Sequence, residues 1–315
     1  MLTAYALRDN YLEPMPPSTE PGWLDDAVWI DLVNPTEEEI QTVEDFSKLS
    51  LPDTQETEEL EASSHYEVYP RGLQLNCLFL HKVEGSVFNT NVAFLFDGPC
   101  LISLCARKVP ALVLLQRQSK KTPRRISDPL SIIISLLEIK IDRIADLSED
   151  AYLAIEKISH QIFQRSNMKQ EEPIDHLSRQ DDLNGKIRLC LMDGQRDLNY
   201  LLRRGNLTAD KIVQLNDMLE DIKTLLSHTT FLSERIDFLL NAALGFINIE
   251  QNKIIKIFSI AAVVFMPPTV IASIYGMNFQ FMPELQSPWG YPVSLLLMLA
   301  AGISPYIYFK RKGWL

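Results

Sequence analysis

The chain has 315 residues and a formal charge of −11, a length that admits about two domains. Its acidic balance excludes a nucleic-acid binder, which needs a basic face, and leaves either a solvated surface or divalent cations as partners. Cys77, Cys100, Cys105 and Cys190 are scattered with no CxxC pair, which fits a reduced, cytosolic setting rather than a disulfide framework.

The N-terminus, "MLTAYALRDNYLEP", has neither a basic n-region nor a long apolar core, so no signal peptide is expected and any membrane insertion must come from the C-terminal end. Residues 1–128 read as a small cytosolic α/β domain. "AVWIDL", "LQLNCLFLH", "NVAFLF" and "CLISLC" are short apolar or alternating runs that predict strands. "NPTEEEIQTVEDF" predicts a helix capped by Asn34, with Pro35 in the first turn and Glu37 to Glu39 at the positive end of the dipole.

From Pro129 the strands stop. Residues 129–253 read as a long helical stalk region. A first helix covers "SIIISLLEIKIDRIADLSEDAYLAIEKISHQIF", a break follows at "SNMKQEEP", and a second helix runs from about Ile174 to Leu202. After the turn "RGNLT", Ile212, Leu215, Leu219, Ile222, Leu226, Ser233, Ile236, Leu240 and Ala243 lie close to an a/d seam. Unbroken from Ala209 to Tyr275, that helix is roughly 100 Å long, a stalk that leaves the cytosol and enters a membrane.

Residues 254–315 read as a two-span transmembrane domain. Ile257–Ile274 and Tyr291–Phe309 are uncharged and about long enough to cross a bilayer. Lys253 and Lys256 precede the first span, Lys310, Arg311 and Lys312 follow the second, and the loop 276–290 has no Lys or Arg. The positive-inside rule places both termini in the cytoplasm and the loop outside. Trp289, Tyr291, Tyr306, Tyr308 and Trp314 suit the interfaces.

On the long helix, Asn241, Gly245, Asn248, Asn252, Ile255, Ser259, Ala262, Met266, Thr269 and Ser273 share one side. Most are small or neutral-polar, so this side should face other helices or water rather than lipid. Two readings stand: close packing between helices, or the lining of a pore built from several copies. Two spans per chain cannot enclose a pore, so the second requires an oligomer. Pro267-Pro268 frees carbonyls one turn back. Gly276 permits a tight exit turn. Asn278 offers an amide oxygen that can accept hydrogen bonds from the water shell of Mg²⁺, an ion that dehydrates reluctantly. Glu284 is the one acid in the loop.

"YGMNFQFMPEL", with Gly276-Met277-Asn278 at its head, resembles the signature of the CorA family of magnesium transporters, and "GFINIEQNKIIKIFS", "MPPT" and "YFKRKGWL" are also similar to that family. The resemblance covers the whole chain. It implies an α/β cytosolic domain followed by long stalk helices and two C-terminal transmembrane helices, assembled as a cyclic homo-oligomeric funnel, a homopentamer in the cell inner membrane. It implies uptake of Mg²⁺, with Co²⁺ and Ni²⁺ also carried, and Mg²⁺ as both transported and regulatory ion without a further cofactor. Gly276, Met277 and Asn278 would form the selectivity filter, and Glu284 would gather cations in the outer loop. Asn252, Ile255, Met266 and Thr269 would face the pore, with Ile255 and Met266 as apolar constrictions.

A divalent cation gains roughly 4.6 kcal/mol per 100 mV of inside-negative potential, and no GxxxxGK[ST] is present, so the pore needs control rather than an ATPase. Candidate regulatory acids are Asp53, Glu56, Glu58, Glu59 and Glu61; Asp142, Asp146 and Glu149 on one helix face; and Asp217 and Asp221 on the stalk. Brought together across subunits they would repel, and intracellular Mg²⁺ would bridge them and hold the pore closed. No HExxH or GxSxG occurs, so no enzyme is expected. The rival readings are a related zinc transporter of the same architecture and a membrane-anchored coiled-coil structural protein.

Overall fold

The computed structural model describes residues 1–8, 11–18, 22–52, 66–68, 72–83, 86–119, 126–164, 171–205, 207–277 and 282–313. They divide into two compact units, Met1–Leu240 and Asn241–Leu315.

The first unit is built on a seven-stranded sheet. Its strands are β1 (Leu2–Arg8), β2 (Tyr11–Met15), β3 (Ala27–Val33), β4 (Tyr66–Val68), β5 (Gly72–Val83), β6 (Ser86–Asp97) and β7 (Cys100–Cys105). Their order in space is β2-β1-β3-β7-β6-β5-β4. The β3–β7 pair is parallel and the other pairs are antiparallel. Alternation along the strands builds two cores. Trp29, Val92, Phe94, Leu101 and Cys105 point to one face; Ile30, Leu32, Ala93, Leu95, Ile102 and Leu104 point to the other. Burial on both faces explains why these strands read as apolar runs.

Helix α1 (Glu37–Ser47) covers the second face through Ile40, Val43 and Phe46. Its cap is Thr36, not Asn34. The Thr36 hydroxyl accepts from Glu39 N and the Glu39 carboxylate accepts from Thr36 N, a reciprocal capping box. Asn34 takes the turn before it, with φ 44°.

The first face carries α2 (Pro110–Ser119), α3 (Pro129–Gln164), α4 (Glu171–Arg204) and the first part of α5 (Ala209–Tyr275). Asp128 caps α3 by accepting from Ser131 N, and Lys211 at the start of α5 pairs with the same carboxylate. Helix α5 buries Leu215, Met218, Ile222, Thr229, Leu232, Ile236 and Leu239, with Ala243 beyond them. The a positions of the expected seam hold at Leu215, Ile222, Ile236 and Ala243. The d positions fall at Met218, Leu232 and Leu239, one residue before the expected Leu219, Ser233 and Leu240, and Ile212 is exposed.

The second unit holds the rest of α5, a single 3-10 turn (Pro283–Gln286) and α6 (Gly290–Arg311). The α/β sheet unit, the long helices and two C-terminal apolar helices match the expected fold class.

Candidate functional site

Helices α5 and α6 each contain an 18-residue window apolar enough to cross a membrane, of mean hydropathy 2.1 and 1.6. Almost nothing in either window is buried, 0% and 6%. Such exposure suits a lipid environment and would be costly in water.

Helix α6 packs on one face of α5. The partly covered residues of α5 in this unit are Ile260, Ala261, Val264, Pro267, Pro268, Ile271 and Tyr275. Facing them, α6 covers Ser294, Met298, Ala301, Gly302, Pro305 and Phe309. The contact is close at Gly302, where an added Cβ would stand 3.2 Å from Pro268 Cγ and 3.6 Å from Val264 O.

The polar and small stripe lies on the other side. Asn252, Ile255, Ser259, Ala262, Met266, Thr269 and Ser273 are all exposed, with Ile255 at 60% and Met266 at 63%. At ~100° per residue they fall within about 60° of the direction opposite Val264. Asn241 and Asn248 are exposed and Gly245 is partly covered. The stripe is therefore not used to pack against the chain's own second span. Thr269 Oγ1 donates to Phe265 O at 2.7 Å, so its hydroxyl is satisfied on its own helix while its side chain stays exposed.

The helix ends as expected at Gly276, whose N–H donates to Ala272 O at 2.9 Å, followed by Met277 N to Ile274 O at 3.3 Å. A Cβ there would stand 3.1 Å from Ala272 O, a tight contact with the helix's own carbonyl. Met277 is 48% exposed. Asn278 lies outside the described residues, as does Trp314. The backbone of Glu284 sits in the 3-10 turn that leads into α6. Trp289, Tyr291, Tyr306 and Tyr308 are all exposed, as interfacial aromatics would be.

Among the described residues, the regulatory candidates form no group placed to hold a metal. Asp142, Asp146 and Glu149 are exposed on α3, and Asp217 and Asp221 are exposed on α5. Asp146 lies 3.8 Å from Arg143. Asp53, Glu56, Glu58, Glu59 and Glu61 lie outside the described residues. Among the described residues, no group of three or more His, Cys, Asp and Glu is placed to hold a metal.

One charged cluster was not anticipated. Lys140 on α3 is buried between Asp193 and Asp197 of α4, with Nζ at 3.0 and 3.5 Å from their Oδ2 atoms and 5.4 Å from the centre of the Phe79 ring. Beyond Leu75, the last β5 residue paired with β4 in the described residues, that edge of β5 meets α4 side chains instead. Leu78 N donates to Asp193 Oδ2 at 2.7 Å, and Cys190 Sγ donates to Leu78 O at 2.9 Å. Burial disfavours the Lys140 charge, but attraction to the Asp193 carboxylate beside it outweighs this and holds its pKa well above the ordinary value. Burial and repulsion from Asp193 push Asp197 up to about 8, against the pull of Lys140. One ammonium serves two carboxylates; Asp193 lies nearer to it, and the fully buried Asp197 is the one whose proton is held more tightly. The sequence does carry a signal: Lys140 sits among Ile133, Leu136, Leu137, Ile144 and Leu147 on the apolar side of α3.

The chain matches the family described as "CorA-like Mg2+ transporter protein" over residues 25–311. It is 40% identical over 317 residues to "Magnesium transport protein CorA" of Salmonella typhimurium, covering 100% of both chains. The protein of that name from Escherichia coli (strain K12) is matched at 40% identity over the same span. Among solved structures, the fold resembles the complete CorA magnesium transporter from Methanocaldococcus jannaschii, with a TM-score of 0.80 at 18% identity, covering 100% of this chain and 99% of that one.

Proposed function

The chain belongs to the CorA family of Mg²⁺ transporters, and from that premise we propose that it admits hydrated Mg²⁺ through a pore lined by copies of α5 around a symmetry axis. It is a transporter and not an enzyme. The observation that carries the reading is the stripe from Asn252 to Ser273, exposed in one chain and turned away from α6. A polar stripe in lipid needs other helices or water. Several identical copies supply both, and a homopentamer in the inner membrane with both termini in the cytoplasm is the assembly we adopt.

In this reading Gly276, Met277 and Asn278 receive the ion with its water shell at the outer mouth, and Glu284 draws cations toward it. Asn252, Ile255, Ser259, Ala262, Met266, Thr269 and Ser273 line the path, with Ile255 and Met266 excluding water when closed. The membrane potential drives entry, and Co²⁺ and Ni²⁺ pass by the same route. Residues 1–128 and 129–253 form the sensing and coupling parts, and 254–315 form the pore. The acids Asp142, Asp146, Glu149, Asp217 and Asp221, together with those at 53–61, act between subunits, where internal Mg²⁺ neutralises their repulsion and favours the closed state. Their exposure and separation within one chain are consistent with ligands completed by a neighbour.

The test is Mg²⁺ entry into vesicles that carry the full chain and a Mg²⁺-sensitive dye. The wild type passes the ion and Asn278→Ala loses most of the flux. Alanine at the five described acids keeps the pore open at high internal Mg²⁺. Normal flux through Asn278→Ala overturns the filter, and unchanged inhibition overturns the acid sites.

A further inference from the structure

We propose that Gly302 is a positioning residue for the pore helix: it seats the Pro267-Pro268 segment of α5 and so sets the bearing of Met266 and Thr269 on the opposite side. The inference rests on the transport reading above and adds a residue of α6 to it.

Glycine is a weaker helix former than alanine, so one inside a span calls for a reason. Gly302 is not among the glycines with positive φ, so backbone freedom is not that reason. Space is. An added Cβ would stand 3.2 Å from Pro268 Cγ, tighter than ordinary van der Waals contact, and 3.6 Å from Val264 O. Gly245, in the same unit, meets nothing within 4 Å, and Gly276 meets only carbonyls of its own helix, whereas Gly302 meets another helix.

A second observation falls at the same point. Pro268 has no N–H, so Val264 O, four residues earlier, lacks its helical donor. That bare carbonyl is the one beside Gly302. A glycine Cα there brings weakly polarised C–H groups toward it and excludes a side chain. The α5 ladder thus loses a bond at the double proline on the side where α6 approaches.

The geometry ties this contact to the stripe. Val264 and Pro268 bracket Met266 in sequence, and Thr269 follows directly. Thr269 Oγ1 bonds Phe265 O within the same turn. Displacing the Val264–Pro268 face from α6 moves the Met266–Thr269 face by a comparable amount in the same direction, toward the proposed axis. Gly276, where the helix ends, lies about two turns beyond Pro268.

The experiment uses the full chain in dye-loaded vesicles, with Gly302→Ala, Gly302→Val, Pro268→Ala and Gly302→Ala combined with Pro268→Ala. Gly302→Val lowers maximal Mg²⁺ flux by about tenfold or more, the scale of an ångström-sized misplacement, while the half-saturating external Mg²⁺ stays where it was. Gly302→Ala shows a smaller loss of the same kind. Pro268→Ala removes Cγ and restores the donor for Val264 O, so the double variant regains the flux of Pro268→Ala alone. Full flux through Gly302→Val, or a double variant that falls below Pro268→Ala by the same factor as Gly302→Ala falls below the wild type, overturns the seat. If Gly302→Val does not fold, the alanine pair alone decides. A wild type that passes no Mg²⁺ overturns the transport reading, whereas wild-type flux with indifferent variants overturns only this proposal.

Discussion

Asp197 is the residue whose protonation links stability to pH. Its carboxyl is 0% exposed and its pKa is raised from 3.8 to about 8 by burial first and by Asp193 second. The native state therefore holds a proton that the unfolded chain releases. Stability from this group is full below about pH 4 and falls as pH rises to about 8, by at most roughly 1.4 kcal/mol per pH unit. Asp31, buried and raised to about 6, adds a decline of the same sign over a shorter range. In thermal unfolding of the full chain at a series of pH values, Asp197→Asn should flatten the decline between about pH 4 and pH 8. An unchanged slope would show that Asp197 is ionised in the fold. The lone lysine on the apolar side of α3 was legible as a pattern, but its two partners, 53 and 57 residues away, were not. Nothing local links an i, i+4 aspartate pair on one helix to a lysine on another.

At the scale of the element, periodicity gave the long helices and left their phase open. The a positions of α5 were readable. The d positions were not, because Met218-Leu219, Leu225-Leu226 and Leu239-Leu240 are adjacent apolar pairs, and either member satisfies a seam. Burial falls on the first of each pair at 218 and 239; between them Asn184 Nδ2 of α4 bonds Thr229 O of α5 at 2.9 Å. Ile222→Ala, at 1% exposure, should therefore lower stability by about 2–5 kcal/mol. Ile212→Ala, at an exposed position of the expected seam, should change it by less than about 0.5 kcal/mol. Denaturant unfolding distinguishes them; equal losses would restore the earlier phase. The cap of α1 was misplaced for a different reason. Asn34 and Thr36 are both good caps, but the reciprocal bond needs a Glu three residues on, and Thr36 with Glu39 meets that condition.

The whole molecule shows where one chain stops being informative. The two spans and the loop between them were plain from charge and hydropathy. Which side of α5 would line a path was chosen from residue chemistry, and packing of α6 on the opposite side leaves that choice open to direct test. All four native cysteines are buried, so single introduced thiols can report on neighbours. On the proposed ring, Met266→Cys should give chain-to-chain disulfides on oxidation in lipid, whereas Val264→Cys, which faces α6, should give none. Non-reducing gels read the result, and the reverse pattern would place α6 on the axis. The proposed filter asparagine and the proposed regulatory acids would act only with neighbouring copies, which no single-chain pattern contains.

The bare side of α5 also bears on biogenesis. On the pore reading, a solitary protomer would offer Ser259 and Ser273 to acyl chains that cannot hydrate them, so it is a poor solute of the bilayer. On that reading, maturation and association would become one event, sensitive to how many newly made copies meet before proteolysis removes them. A truncated copy ending before α6 would enter that encounter without the span that steadies its double proline, and would spoil the companions it joined.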